Sequence, residues 1–246
     1  MDGNQFDDLL RAAFASRRTL LGHALAAGSV FTGYEMTEAK KKKKKPCSSC
    51  KKRKKGKCKA NRPDGTACSG GSCVGGVCTP CGAGGDCLVF LTSVTYQGDL
   101  GGLAGADAKC QGLARDAGLP GSFRAWLSDA TSVPASRFVR SPGPYKLING
   151  VTIAANWDDL TDGSPLEASI TVTETGGGPG NSLIAWSATQ SDGTFTFGTE
   201  HCANWSTNAN GPQGNFGAVD RLDGWSTVPT SLVCENRMHL YCFQQR

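Results

Sequence analysis

The chain has 246 residues, 12 of them cysteine, and 26 Lys+Arg against 21 Asp+Glu, for a formal net charge of +5. No stretch reaches the ~20 consecutive apolar residues of a transmembrane helix, and so many cysteines in so short a chain argue against a reducing compartment, where thiols do not stay paired. The positive balance belongs to one tract: residues 40 to 59 hold 13 of the 26 cations and no acid, whereas residues 88 to 246 hold 9 basic and 14 acidic residues, a net of −5.

Residues 1 to 39 read as an export signal. Ser16-Arg17-Arg18-Thr19-Leu20-Leu21 resembles the twin-arginine export motif, the weakly apolar "LLGHALAAGSVF" follows it, and "TEAK" offers small residues for cleavage after Ala39. His23 inside the apolar run departs from the pattern, and the competing reading is an amphipathic helix with two solvated arginines. The cysteines independently favour export, so a secreted or cell-surface location is expected.

Residues 40 to 87 form a basic, cysteine-dense segment. Its cations are Lys40, Lys41, Lys42, Lys43, Lys44, Lys45, Lys51, Lys52, Arg53, Lys54, Lys55, Lys57 and Lys59. Such a run is either a solvated tether or a surface that captures a polyanion. No aromatic residue interleaves with the lysines, so specific nucleic-acid binding is not implied. Cys47-Ser-Ser-Cys50 and Cys78-Thr-Pro-Cys81 have the CxxC spacing of zinc ribbons. The eight cysteines of the segment stand at uneven gaps with no histidine nearby, which favours disulfides. Which of the eight pair with which stays open. With turn residues but almost no core formers, the segment needs covalent staples to fold.

Residues 88 to 246 are long enough for one real core and read as α+β. "CLVFLTSVTY" is strand-like. Leu103, Ala106, Cys110, Leu113 and Ala117 recur at helical steps, which puts Cys110 on the buried face of a helix ended by Gly118 and Pro120. Short strands follow at "RAWLS", at "YKLI" and "VTIA" around the hairpin signal Asn149-Gly150, and at "SITVTE", "LIAWSAT" and "FTF", with "HLYCFQ" last. Only Cys110, Cys202, Cys234 and Cys242 lie beyond position 87, and four cysteines allow three pairings.

Three blocks carry a resemblance. "GGLAGADAKCQGLARDAGLPGSFRAWLSD" (101 to 129) resembles the first helix and following strand of endostatin, the C-terminal domain of collagens XV and XVIII. "IAWSATQSDGTFTFGTEHCANWST" (184 to 207) and "SLVCENRMHLYCFQ" (231 to 244) are similar to its later blocks in the same order, and "ANWDDLTDGS" (155 to 164) matches more loosely. The C-x7-C ending is also that of C-type lectin-like domains, the superfold to which endostatin belongs, and secreted bacterial domains of unknown function look like closer kin. The resemblance implies a C-type lectin-like, endostatin-like domain over 88 to 246 with nested bridges, Cys110 to Cys242 and Cys202 to Cys234.

Catalysis has little support in the residues. Beyond the signal only His201 and His239 remain, and no GxSxG, HExxH or phosphate-loop pattern appears. Sugar-binding C-type lectins carry Glu-Pro-Asn or Gln-Pro-Asp before the second cysteine and Trp-Asn-Asp before the third. Here "FTFGTEH" precedes Cys202, and Ser226 and Thr227 follow Trp225 where the Asn-Asp pair would stand. A calcium sugar site of that kind is not expected, and neither is a cofactor. Asp158, Asp159 and Asp162 fail an EF-hand reading at Leu160 and Ser169, leaving an acid-rich turn around a short helix. Of the five tryptophans, Trp126 and Trp186 sit in apolar strands, whereas Trp205 and Trp225, in polar sequence, are the candidates for stacking on a ligand. The expectation is an exported, non-catalytic binding or adhesion protein for an extracellular glycan, a polyanion or a surface protein. An extracellular enzyme or enzyme accessory on the same fold is the alternative.

Overall fold

A computed structural model describes residues 45–195 and 200–246. Lys45–Arg246 forms one compact unit. It is a mixed α+β structure, mostly sheet with few helices, and all 12 cysteines are joined in six disulfides. The twin-arginine-like segment and Lys40 to Lys44 lie outside the described residues.

Two small sheets come first. Strands β1 (Lys51–Lys54) and β2 (Lys57–Asn61) pair as an antiparallel ribbon, and β3 (Ala67–Cys68), β4 (Gly71–Val74) and β5 (Val77–Pro80) form a three-stranded meander. Their buried apolar cluster is Cys50, Cys68 and Cys73, with Cys78 packed against it, so sulfur stands where a larger domain would place leucine. Four bridges staple this region: Cys47–Cys58, Cys50–Cys73, Cys68–Cys78 and Cys81–Cys87.

The larger sheet begins at Cys87 itself. In chain order its region holds β6 (Cys87–Leu91), α1 (Gly102–Asp116), β7 (Phe123–Ala125), α2 (Pro134–Arg137), β8 (Tyr145–Leu147), β9 (Thr152–Ala154), α3 (Trp157–Leu160), β10 (Ile184–Trp186), β11 (Gln213–Ala218), β12 (Ser231–Val233) and β13 (His239–Gln244). The strand order is β12-β11-β10-β13-β6-β8-β9, with β7 also on β13. One edge of β13 pairs with β6; the other pairs with β10 at His239 and Leu240 and with β7 from Cys242 to Gln244. All six residues of β13 are buried, as a strand covered on both faces requires.

Strand alternation sorts the core into two layers. Val89, Leu91, Tyr241 and Phe243 face one side, against Trp126, Trp157 and Trp225. Phe90, Leu240 and Cys242 face the other, against α1, Trp186 and Trp205. Helix α1 turns Ala106, Cys110 and Ala114 inward, so Cys110 meets β13 and bonds Cys242.

The first sheets are tied to this body by more than the chain. Lys146 pairs with Asp86 at 2.9 Å, the Asp86 amide donates to Ser72 Oγ at 3.0 Å, and the Cys87 amide donates to the Pro144 carbonyl at 2.8 Å.

Two expected strands differ. "SITVTE" forms no strand; Thr173 makes one bridge to Leu91, and the segment turns back so that the Thr173 amide bonds the Gly177 carbonyl at 2.8 Å. In "FTF" only Phe195 is described, bridging Thr189.

One segment winds against the usual hand. Cys202, Ala203, Asn204 and Trp205 have φ of +49°, +52°, +57° and +60°, a single left-handed turn without a glycine. The Trp205 amide donates to the His201 carbonyl at 2.7 Å and Trp205 Nε1 to the Ser128 carbonyl at 2.7 Å. Asn204 Oδ1 accepts the Ala130 amide at 3.1 Å, and Cys202 is bonded to Cys234.

Candidate functional site

The β1–β2 ribbon is built from the poorest of strand formers, since lysine is depleted in sheets. Lys55 and Gly56 connect the strands with φ of +49° and +79°, the two positive values of a two-residue hairpin turn. A glycine at the second position takes its conformation at no steric cost; a lysine at the first does not. Bridges supply what propensity lacks: Cys47–Cys58 ties β2 to the segment before β1, and Cys50–Cys73 ties that segment to the meander. An isolated two-stranded ribbon is marginal in water, so these bonds set its existence.

Its charge is concentrated and unanswered. Lys52, Arg53, Lys54, Lys55, Lys57 and Lys59 are exposed, as is Lys45, with Lys51 half-buried. Lys54 stands directly opposite Lys57 in the strand register. A bulge at Lys52/Arg53 shifts the register. Lys54, Lys55, Lys57 and Lys59 line a groove of about 350 Å³. No ion pair among the described residues involves a ribbon cation. Lys51 Nζ donates to the neutral Asn61 Oδ1 at 2.5 Å, and Arg53 Nη1 to the Gly56 carbonyl at 2.7 Å. Like charges directly across a ladder are destabilising by roughly 0.2–1 kcal/mol. The fold holds such a pair open to solvent, where an anion can reach both members.

The stacking residues named from the sequence are elsewhere in the molecule. Trp205 is 0% exposed and Trp225 1% exposed, so neither presents a face to a ligand. This corrects the expectation. Trp225 lies 5.0 Å from Trp126 between ring centroids, and Trp205 lies 5.7 Å from Trp186. Polar local sequence misled because the polar neighbour of Trp225 faces inward as well: Ser226 Oγ accepts a different indole, Trp126 Nε1, at 2.7 Å, while Trp205 Nε1 reaches the Ser128 carbonyl.

Among the described residues, His201 and His239 are each engaged by backbone groups. His201 Nδ1 accepts the Asn204 amide at 2.8 Å, which occupies its lone pair in the left-handed turn. His239 is buried, with Nδ1 2.6 Å from the Thr92 carbonyl and Nε2 3.1 Å from the Pro179 carbonyl. Asp159 starts a helix rather than a metal loop: its amide is capped by Asn156 Oδ1 at 3.0 Å, and its carboxylate accepts the Ala155 amide at 2.5 Å.

A cleft of about 620 Å³ that sequence reasoning missed lies beside α1, lined in part by Asp107, Arg124, Arg137 and Arg246. Its charges are largely spent on structure. Asp107 Oδ2 takes Arg137 Nη2 at 2.6 Å and lies 3.9 Å from Arg124 Nε, while Oδ1 accepts the Ala125 amide at 3.0 Å. Arg137 also donates to the Leu127 carbonyl at 3.1 Å. The clasp joins α1 to β7 across residues up to 30 positions apart, and local sequence carries no sign of it.

No family model matches the chain, and no curated protein matches it.

Proposed function

We propose that the chain is an exported, non-catalytic binding protein that captures a linear extracellular polyanion on its β1–β2 ribbon, presented by a lectin-like body of the endostatin type. The observation that carries this reading is the ribbon itself: exposed cations on a stapled hairpin, with no acid among residues 45 to 63 and no ion pair. A tether needs no such ordered surface. A polyanion offers many acceptors to clustered lysines and gains from releasing its own counterions.

Export is supported by the complete pairing of the cysteines. No helix among the described residues is long and apolar enough to cross a membrane. The lectin-like assignment rests on the resemblance in sequence blocks and on the two long-range bridges, one of which ties the first long helix to the central strand.

The test is salt elution from immobilised heparin, comparing the chain with a K54Q/K57Q variant. Losing two contacts lowers the slope of log affinity against log salt by about 1.4, using the ~0.7 per contact found for flexible single strands. The same variant unfolds at equal or higher denaturant, because a like-charge pair is gone. Unchanged elution and slope in a folded variant would sink the proposal.

A further inference from the structure

We propose that His239 is a proton-operated latch: its imidazolium ring fastens the strap of residues 173–180 over the edge of β6 in mild acid, and loss of the proton releases it. His239 opens β13 and is 1% exposed. Its Nδ1 lies 2.6 Å from the Thr92 carbonyl and its Nε2 3.1 Å from the Pro179 carbonyl. Both partners are oxygens that only accept. A neutral imidazole has one N–H and one lone pair, so it satisfies one carbonyl and sets its lone pair against the other, whereas the imidazolium donates to both. A buried polar group left without its partner carries a desolvation cost, so proton uptake and strap closure are coupled.

The two carbonyls do not share that loss equally. Thr92 continues β6, and its amide donates to the Leu240 carbonyl at 2.9 Å within the sheet. Pro179 stands among Gly176, Gly177, Gly178 and Gly180, exposed residues that add little backbone stiffness. The strap's near end is held separately. The Leu91 amide donates to the Val172 carbonyl at 2.9 Å, and Ser93 gives Glu174 its amide at 2.9 Å and its hydroxyl. His239 fastens the far end. A released strap bares the edge of β6 at Leu91, beyond the pairing with β8 that runs from Cys87 to Val89.

Few other charges face the ring. Glu174, buried in the strap itself, supplies a carboxylate beside Ser93. Tyr96 and Tyr241 stay neutral, since burial raises both, with the charges of Glu174 and Asp220 adding to the effect. Arg237 is exposed and donates to the Thr95 carbonyl at 2.8 Å. Alongside, β10 presents Ile184, Ala185 and Trp186, none of them ionisable. The latch is therefore shut on the acid side and lost as the pH rises across about 5 to 8, the range in which histidine side chains exchange their proton.

Ring-nitrogen NMR of the ¹⁵N-labelled full chain, at about pH 5.5 and about pH 8, reads the protonation of each nitrogen of His239 directly. Both should carry hydrogen at the lower pH. Amide exchange, corrected for its intrinsic pH dependence, should show protection at Leu91 and Ser93 falling about tenfold or more at the higher pH, the effect of one unmet buried hydrogen bond. Trp126, whose amide is bonded to the Tyr241 carbonyl, should keep its protection. The side chain in His239→Gln has one donating and one accepting end and does not titrate, so its protection should be equal at the two pH values. A bare ring nitrogen on His239 at the lower pH overturns the proposal. So does protection at Leu91 and Ser93 that is equal at both pH values in the parent, or that varies in His239→Gln as it does in the parent. The ring spectrum needs no variant and decides the matter even where His239→Gln does not fold.

Discussion

Replacing Ala203 by glycine should stabilise this protein, although the same change in an ordinary helix costs about 1 kcal/mol. Ala203 sits at φ +52° and ψ +56° in the left-handed turn. An L-residue pays roughly 1–2 kcal/mol for that conformation because its Cβ crowds the following carbonyl, and glycine does not. Against this, glycine loses about 0.4–1 kcal/mol more backbone entropy on folding. Ala203 is exposed, so removing its methyl group forfeits little packing. The net expectation is a gain of about 0.5–1 kcal/mol, a rise in melting temperature of about 1–4 °C for a protein of this size. Chemical denaturation of the oxidised chain checks it as a higher midpoint at constant slope. Ala203→Val should move the other way, since a β-branched side chain is least tolerated at positive φ. If Ala203→Gly instead loses ~1 kcal/mol, the turn is right-handed and the reasoning fails.

Two further outcomes test the core. Removing Cys110–Cys242 as a double alanine variant should cost about 5 kcal/mol and removing Cys202–Cys234 about 3.7, from sequence separations of 132 and 32 in the chain-entropy relation. Denaturation midpoints that reverse this order would show that loop closure does not dominate. In alkali, burial pushes Tyr145 up to about 12 and holds Tyr241 well above the usual 10.0, with the charge of Asp220 adding to the second. Each is neutral in the fold and ionises more readily when unfolded, so the stability that it contributes is complete below pH 10 and disappears as the pH climbs toward 12. For Tyr145 that is about 3 kcal/mol. Tyrosinate absorbance from these two should appear together with loss of circular dichroism; full ionisation near pH 10 with the fold intact would contradict the burial argument.

Elements whose signals are local were legible in the sequence. Helix α1 follows from apolar steps of three and four that end at Gly118 and Pro120, and the Asn149-Gly150 pair does join two antiparallel strands, Tyr145–Leu147 and Thr152–Ala154. The α+β class and the dependence on disulfides follow from the same reading. What was hidden depends on distant partners. Trp205 and Trp225 stand in polar sequence, yet a carbonyl 77 residues away receives one indole N–H and the other ring closes an aromatic cluster. The Asp107 clasp joins three separate elements. The left-handed turn had one faint sign in Asn204, the single residue of the four that tolerates that region readily. The lysine tract, read as either tether or surface, is an ordered hairpin over Lys51–Asn61 because bridges override a propensity that argues for coil.

The central place of β13 has a consequence for biosynthesis. This strand, which β6, β7 and β10 all require as a neighbour, is made about 150 residues after Cys87. At ribosomal speeds of about 5–20 residues per second, that interval is roughly 8–30 s. Until it ends, the amino-terminal cysteines are already synthesised while the body that will bury Cys87 and Cys81 has no spine. The early region therefore has to keep its own thiols in order, alone, for longer than a small domain takes to fold.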